Sequence, residues 1–203
     1  EGSALISAMS LIAVAQLLIE TGRGLYAYPY PMHDLRLVLI TACTAAFGLT
    51  LIAYLLHRFS GLSLTARLLR LLGVVVLLLP AVLLPSAWDA KTLLAFETAI
   101  LIGLAWCGVW VWQRKPGARA HLAVLAGLAT LAALFPELFI DRYFYQAIAG
   151  LLLFLFAQHA IALVNERRSR RLEATRADRL EIALSQARQK DHPVQIELVS
   201  AGR

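Results

Sequence analysis

Long apolar runs separated by short polar connections make up the chain as far as Val164. A helix that crosses a lipid bilayer needs roughly 20 mostly apolar residues. Six runs meet or approach that length, so the pattern predicts an all-α fold, a polytopic membrane helix bundle over residues 1–165. The six predicted membrane helices cover residues 4–19, 37–56, 71–88, 92–112, 122–139 and 144–164.

The pattern changes after Val164, where the segment "NERRSRRLEATRADRLEIALSQARQK" begins. It is rich in helix-forming residues and holds neither Gly nor Pro, which predicts that the sixth helix continues as a linker helix over residues 166–192. Small and apolar residues then recur at spacings of three and four, which predicts a short coiled-coil seam and a homodimer. The alternative is a solvated helix without a partner. The seam consists of Ala177, Leu180, Leu184 and Ala187.

The last residues, "DHPVQIELVSAGR", have the period of a strand. Pro193 ends the helix, and Val194, Ile196 and Leu198 alternate with polar residues. A single strand has no neighbour to pair with. We therefore expect residues 193–203 to be the first strand of a cytoplasmic output domain that continues beyond this sequence.

Composition agrees with a lipid environment. The 203 residues are 60% hydrophobic and only 16% charged, with a mean hydropathy of +0.69. Typical globular domains are about 45–50% apolar and about 25% charged. Cys43 and Cys107 lie within apolar runs without metal-ligand spacing, so they are interpreted as small buried hydrophobic residues. The bilayer is the first expected partner, and no metal or cofactor is expected.

Basic residues concentrate in alternate connections and after the sixth run. Cytoplasmic connections of membrane proteins carry an excess of Lys and Arg, so this distribution predicts that the even-numbered connections and the C-terminus are cytoplasmic. The formal net charge of +6 then reflects topology rather than nucleic-acid binding by these residues. The basic residues are Arg58, Arg67, Arg70, Arg114, Lys115, Arg119, Arg167, Arg168, Arg170 and Arg171.

Four stretches carry a resemblance to a known family. They are "LLIETGRGLYAYPYPMHDLRLVLI", "YLLHRFSGLSLTARLLRLLGVVVLLLP", "AIAGLLLFLFAQHAIALVNERR" and "PVQIELVSAGR". The first three resemble the membrane module of bacterial seven-transmembrane receptors with diverse intracellular signalling modules, over about residues 4–175. The fourth is similar to the opening strand of a LytTR-type DNA-binding domain.

The resemblance implies a multi-pass protein of the bacterial inner membrane. It also implies a seventh helix before Glu1, and nucleic acid as a partner only through the output domain. In the same family the output is sometimes a histidine kinase or a diguanylate cyclase instead.

Glu97 is the sharpest candidate for a sensing residue, because it lies within the apolar run "LLAFETAILIGLAW". A charged side chain at the bilayer centre costs about 2.5–3.5 kcal/mol on insertion scales, so the carboxyl group is expected to face the bundle interior, to be protonated or to pair with a base. It either contacts a ligand or senses protons, or else forms an interhelical hydrogen bond. Arg23, Lys91 and Arg142 lie on the same predicted side and are candidate partners.

The stretch "ETGRGLYAYPYPMHDLRL" connects the first two predicted helices on the outer side. Tyr26, Tyr28 and Tyr30 alternate with small residues and prolines, and Arg23 and His33 flank them. Tyrosine rings are enriched at membrane interfaces, so the stretch is interpreted as an interfacial anchor. The alternative is a lid over a ligand pocket.

Three histidines lie near the predicted inner boundary. His159 either relays a change in helix packing to the linker or forms a hydrogen bond within the bundle. His57 and His121 are a remote candidate for axial haem ligands, since no spacing enforces a facing pair.

No enzymatic motif is present, because the chain lacks HExxH, GxSxG and the P-loop. We therefore expect a sensor that relays an external or intramembrane signal through its last helix, and no catalysis. Two alternatives stay open, a small carrier or channel with an assembly tail, and a structural anchor for an output domain.

Overall fold

The computed structural model describes residues 2–25, 30–83 and 88–191. Side chains are described for these residues except 23–25, 30–31, 80–82, 89, 141, 174, 177 and 187–191. All elements within the described ranges are helical. They are α1 (Gly2–Leu25), α2 (Tyr30–Phe59), α3 (Leu64–Leu83), α4 (Trp88–Trp112), α5 (Ala118–Leu134), the short α6 (Pro136–Leu138), a π-helical turn (Phe139–Tyr143) and α7 (Phe144–Asp191).

The all-α prediction is confirmed for the described part of the chain. Four stretches are long and apolar enough to cross a membrane: Gly2–Gly22, Met32–Phe59, Ala90–Trp112 and Phe144–Gln186. Residues 84–87, at the end of the third predicted run, and the strand expected over 193–203 lie outside the described residues.

The fifth apolar run forms a shorter helix than predicted, displaced toward the N-terminus. Helix α5 has 17 residues and ends at Leu134, because Pro136 has no N–H to continue the hydrogen-bond ladder. The chain restarts as α6 and then forms the π-helical turn, in which Phe139 packs against Phe96 with ring centroids 5.3 Å apart. Phe144, at the start of α7, packs against the same ring at 5.5 Å. These aromatic contacts join the beginning of α7 to α4.

By residue contacts the described chain divides into two units, Glu1–Phe156 and Ala157–Arg203. In the first unit α2 and α4 are central, because α2 contacts α1, α3 and α4, while α4 also contacts α3 and α5. In the second unit the described residues belong to α7. They are mostly exposed, with an ion pair of 2.6 Å between Glu166 and Arg170 one turn apart.

Helices α2 and α4 run parallel and in register. The hydroxyl oxygens of Thr41 and Thr92 are 3.0 Å apart, and these residues are 51 positions apart in sequence. Gly48 and Ala99, which are also 51 positions apart in sequence, contact each other. Phe59 and Trp110 have the same sequence separation, and their ring centroids lie 5.2 Å apart. We call these three pairs the α2–α4 ladder.

Gly48 allows the closest approach in the α2–α4 ladder. A methyl group added at Gly48 would lie 2.5 Å from the Cβ atom of Ala99, closer than real Cβ atoms come. Small residues at such positions let helix backbones pack closely in membranes, where packing replaces the hydrophobic effect as the force between helices.

We therefore expect Gly48→Ala to destabilise the protein by about 1–3 kcal/mol through overpacking. The matched control is Gly127→Ala in α5, where an added methyl group has no neighbour within 4 Å. Unfolding of the purified protein in detergent measures both variants. Ala99→Gly in the Gly48→Ala background is expected to restore most of the loss, and a failure to do so would show that the clash lies elsewhere.

Candidate functional site

Polar side chains collect inside the first unit, near the ends of the helices that lie on the predicted outer side. They come from α1, α2, α4 and α7. All are buried except Glu20 and Tyr145, which are half-buried, and the rest of the buried core is almost entirely apolar. We call this group the outer polar cluster. Its members are Gln16, Glu20, Arg36, Thr41, Thr44, Thr92 and Tyr145.

An ion pair between α1 and α2 forms the outermost part of the cluster. The Nη1 atom of Arg36 lies 3.4 Å from Oε1 of Glu20. Arg36 is only 8% exposed, yet its Nε and Nη1 atoms have no hydrogen-bond partner among the described residues. A buried guanidinium group is stable only when its charge and its donors are both satisfied. Glu20 supplies the charge and leaves donors without acceptors.

Gln16 lies one helical turn before Glu20 on the same face of α1. Its side-chain amide donates from Nε2 to Oγ1 of Thr44 over 3.0 Å. The Thr44 hydroxyl in turn donates to the carbonyl oxygen of Ile40 at 3.1 Å. Gln16 is 1% exposed, and its Oε1 atom is a buried acceptor without a partner in the described structure.

The α4 and α7 helices complete the cluster. The Thr41 hydroxyl donates to the carbonyl oxygen of Leu37, so in the Thr41–Thr92 bond of 3.0 Å it is Thr92 that donates. Tyr145, in the first turn of α7, lies within electrostatic range of both Glu20 and Arg36. Hydrogen bonds and an ion pair therefore join α1, α2 and α4, with Tyr145 of α7 within electrostatic range, and the hydrogen-bonding capacity of these groups is only partly used within the described structure.

Glu97 lies outside this cluster. It follows the buried Phe96 by one position on α4, about 100° around the helix, and is half-buried. It forms no hydrogen bond or ion pair with any residue that the structure describes. Among its three candidate partners, the ammonium group of Lys91 lies 4.2 Å from the centroid of the Trp88 ring, and Arg142 has no described bond to Glu97. The Arg23 side chain lies outside the described residues.

The tyrosine stretch is only partly described. Tyr26 and Tyr28 lie outside the described residues, and Tyr30 is the first residue of α2 with its side chain undescribed. His33 lies on the next turn of α2 and is half-buried. The choice between an anchor and a lid therefore stays a prediction.

The relay candidates lie in the second unit, on α7. His159 is half-buried. Leu180 and Leu184 are each 65% exposed. Both a dimer seam and a solvated helix have such exposure in a single copy, so the seam stays a prediction. The side chains of Ala177 and Ala187 lie outside the described residues.

The two boundary histidines are engaged separately. The Nδ1 atom of His57 lies 3.0 Å from Nη1 of Arg67, and Nδ1 of His121 lies 3.0 Å from the carbonyl oxygen of Gly117. His121 is 2% exposed among aromatic rings, with Phe59 and Phe154 both at 5.0 Å. The described residues hold no group of three or more His, Cys, Asp or Glu side chains placed to bind a metal.

A cavity of about 440 Å³ opens at the turn between α4 and α5. Arg114, Lys115 and Arg119 line it together with Val111, Pro116 and Gly117. The three cations belong to the set that predicts the cytoplasmic side. They make the lining of the cavity electropositive.

The sequence contains polar residues within apolar runs that indicate the outer polar cluster. Hydropathy alone does not distinguish them from other polar residues in such runs. Gln16 and Glu20 are four residues apart, which places them on one face of α1. Thr41 and Thr44 likewise place hydroxyl groups within the second apolar run. Arg36 was predicted only as part of a connection, because its burial depends on the partner helix.

We expect Thr44→Val to cost about 1–3 kcal/mol of unfolding free energy, because it leaves the buried Nε2 of Gln16 without an acceptor. Gln16→Leu removes the donor together with the unpaired Oε1 atom, so its cost is expected to be smaller. The double variant should resemble Gln16→Leu. Unfolding in detergent tests the series, and equal costs for the two single variants would contradict the proposed pairing.

Comparisons with protein-family models, with curated proteins and with solved structures found no match. The resemblance to seven-transmembrane receptors therefore stays a prediction from the quoted residues.

Proposed function

We propose that this chain is a membrane signal-sensing module, in which the outer polar cluster receives an external or intramembrane signal and α7 relays it to a cytoplasmic output domain. The observation that carries the proposal is the partial satisfaction of this cluster, whose members come from four helices. An arrangement of the helices that pairs the remaining donors and acceptors differs in free energy from the present one. A ligand that favours one arrangement shifts the population between the two.

Helix α7 is the element suited to transmit such a shift. Tyr145 belongs to its first turn, and the helix extends for 48 residues to Asp191. Arginines at 167, 168, 170 and 171 favour a cytoplasmic location for this extension. The exposed Leu180 and Leu184 supply an apolar seam for a second copy, as a homodimer requires.

The wider assignment follows from these features and from the sequence resemblance. In this assignment the chain belongs to a receptor of the bacterial inner membrane, which has a polytopic bundle of seven helices and a LytTR-type output domain. Nucleic acid would then be contacted only by that domain. The proposed role requires no enzymatic activity in residues 1–203.

Helical phase tests the relay. Each residue inserted into a helix turns the following part by about 100°, whereas seven residues make nearly two full turns. We expect insertions of one to three residues near Ser169 to change the output of the complete receptor, and a seven-residue insertion to restore it. For a LytTR-type output the measurement is reporter transcription in cells. Equal output from all insertions would rule out a relay through α7.

Disulfide cross-linking tests the homodimer. We expect Leu180→Cys and Leu184→Cys to form covalent dimers rapidly under mild oxidation in membranes. The matched control is Ile182→Cys, since Ile182 is 57% exposed on the same helix but lies off the seam. Equal cross-linking at all three positions would indicate collision of solvated helices rather than a seam.

Solute flux distinguishes the sensor from a carrier or channel. Proteoliposomes containing residues 1–203 are expected to show no flux above that of empty vesicles. A structural anchor is tested by replacing the bundle with an unrelated membrane dimer, after which regulation of the output should be lost. Regulation that survives the replacement would favour the anchor.

A further inference from the structure

Two donors and one acceptor of the outer polar cluster have no hydrogen-bond partner in the part of the chain that the structure describes. Among the described residues, Nε and Nη1 of Arg36 are buried donors without an acceptor, and Oε1 of Gln16 is a buried acceptor without a donor. Gln16 lies four residues before Glu20 on α1, and the Glu20 carboxylate faces Arg36. Four residues correspond to about 6 Å along a helix. Gln16 therefore lies one helical turn from the acid that pairs with Arg36.

The charge of the cluster constrains what such a molecule can be. Glu20 and Arg36 are its one acid and its one base, so the cluster is formally neutral. Its other members are an amide, three threonine hydroxyl groups and the Tyr145 phenol. An added anion or cation would leave one buried charge uncompensated, which is costly away from water. A neutral molecule preserves the balance.

The unmet groups also constrain the pattern of polar atoms. Arg36 requires an acceptor and Gln16 Oε1 requires a donor, and one carboxamide group offers both, as a carbonyl oxygen and an N–H group. Resting on the proposed function, we propose that the outer polar cluster binds a small uncharged molecule that carries a carbonyl acceptor beside an N–H or O–H donor. The carbonyl accepts from Arg36, and the donor bonds to Gln16 Oε1.

Binding requires the cluster to open. The unpaired atoms are closed off in the present arrangement, with Gln16 1% and Arg36 8% exposed. Tyr145 lies within electrostatic range of Glu20 and Arg36, two positions after the end of the π-helical turn Phe139–Tyr143. Such turns interrupt the regular ladder and are frequent at functional sites. In this proposal the start of α7 moves to open the site, and it is also the start of the proposed relay.

Three probes of nearly equal shape and different charge test the ligand class: acetamide, acetate and acetamidinium. The chain is reconstituted in phosphatidylcholine nanodiscs, and binding is followed by saturation-transfer NMR and by the shift in unfolding temperature. We expect saturable binding of acetamide in the millimolar range, as suits a ligand of four heavy atoms. Acetate and acetamidinium are expected to bind at least about tenfold more weakly.

A matched pair of glutamine variants locates the site. Gln16→Met keeps the length of the side chain and removes the acceptor, so it should weaken acetamide binding about tenfold, the effect of one lost hydrogen bond. Gln158→Met makes the same change on α7 outside the cluster and should leave binding unaltered. Arg36→Lys should also weaken binding. If Arg36→Lys fails to fold, Gln16→Met alone tests the site, provided that its unfolding profile is normal.

Each outcome decides the proposal. Tighter binding of acetate that depends on Arg36 would overturn the neutral ligand class. No saturable acetamide binding, or equal losses in Gln16→Met and Gln158→Met, would overturn the site itself. A different result, output that is insensitive to helical phase, would overturn the proposed function. The two failures are therefore distinguishable.

Discussion

The close crossing of α2 and α4 at Gly48 and Ala99 is the constraint on which the first unit depends. The two helices are parallel and keep one register from Thr41–Thr92 to Phe59–Trp110. Helices α1 and α3 pack on α2, and α5 packs on α4, so their positions follow from this crossing. The Thr41–Thr92 bond exists because the backbones approach closely two turns further along. Without a glycine at position 48, packing and polar pairing would both have to change.

Little water is present in an apolar medium, so close packing determines how the helices associate. For the same reason, the unpaired polar atoms of the outer polar cluster are costly in free energy. In an apolar medium a buried donor without an acceptor has no solvent to replace the missing partner. Most buried residues of the first unit avoid this problem by being apolar. The cluster is one exception, beside Tyr54 and His121, whose hydroxyl group and Nε2 atom also lack a described partner. Its member Tyr145 belongs to α7, the helix that continues to Asp191. A protein that served only as an anchor would gain stability by replacing these groups with apolar ones.

Hydropathy predicted the helical class and most helix positions, because span length depends on summed composition. It did not predict the end of α5 at Leu134, since a single proline interrupts a run that is otherwise apolar. Nor did it separate Arg36, which is buried against α1, from the exposed residues of a connection, because burial depends on a second helix. Glu97 stood out by sequence yet has no described partner, while Gln16 and Thr44 were unremarkable in sequence and are paired. The position of a residue along an apolar run can be derived from the sequence. Which face of that helix contacts a neighbour cannot be predicted without knowing the register between the two helices.

The π-helical turn Phe139–Tyr143 determines the form that any motion of α7 can take. A π turn closes hydrogen bonds over one residue more than an α turn. Passing from one to the other would turn the following helix by about 100° and shift it by about 1.5 Å. In the proposed relay, motion that begins at this turn would therefore be discrete, with two stops. A weak stimulus would change how many molecules occupy each stop, and would leave the size of the step unchanged.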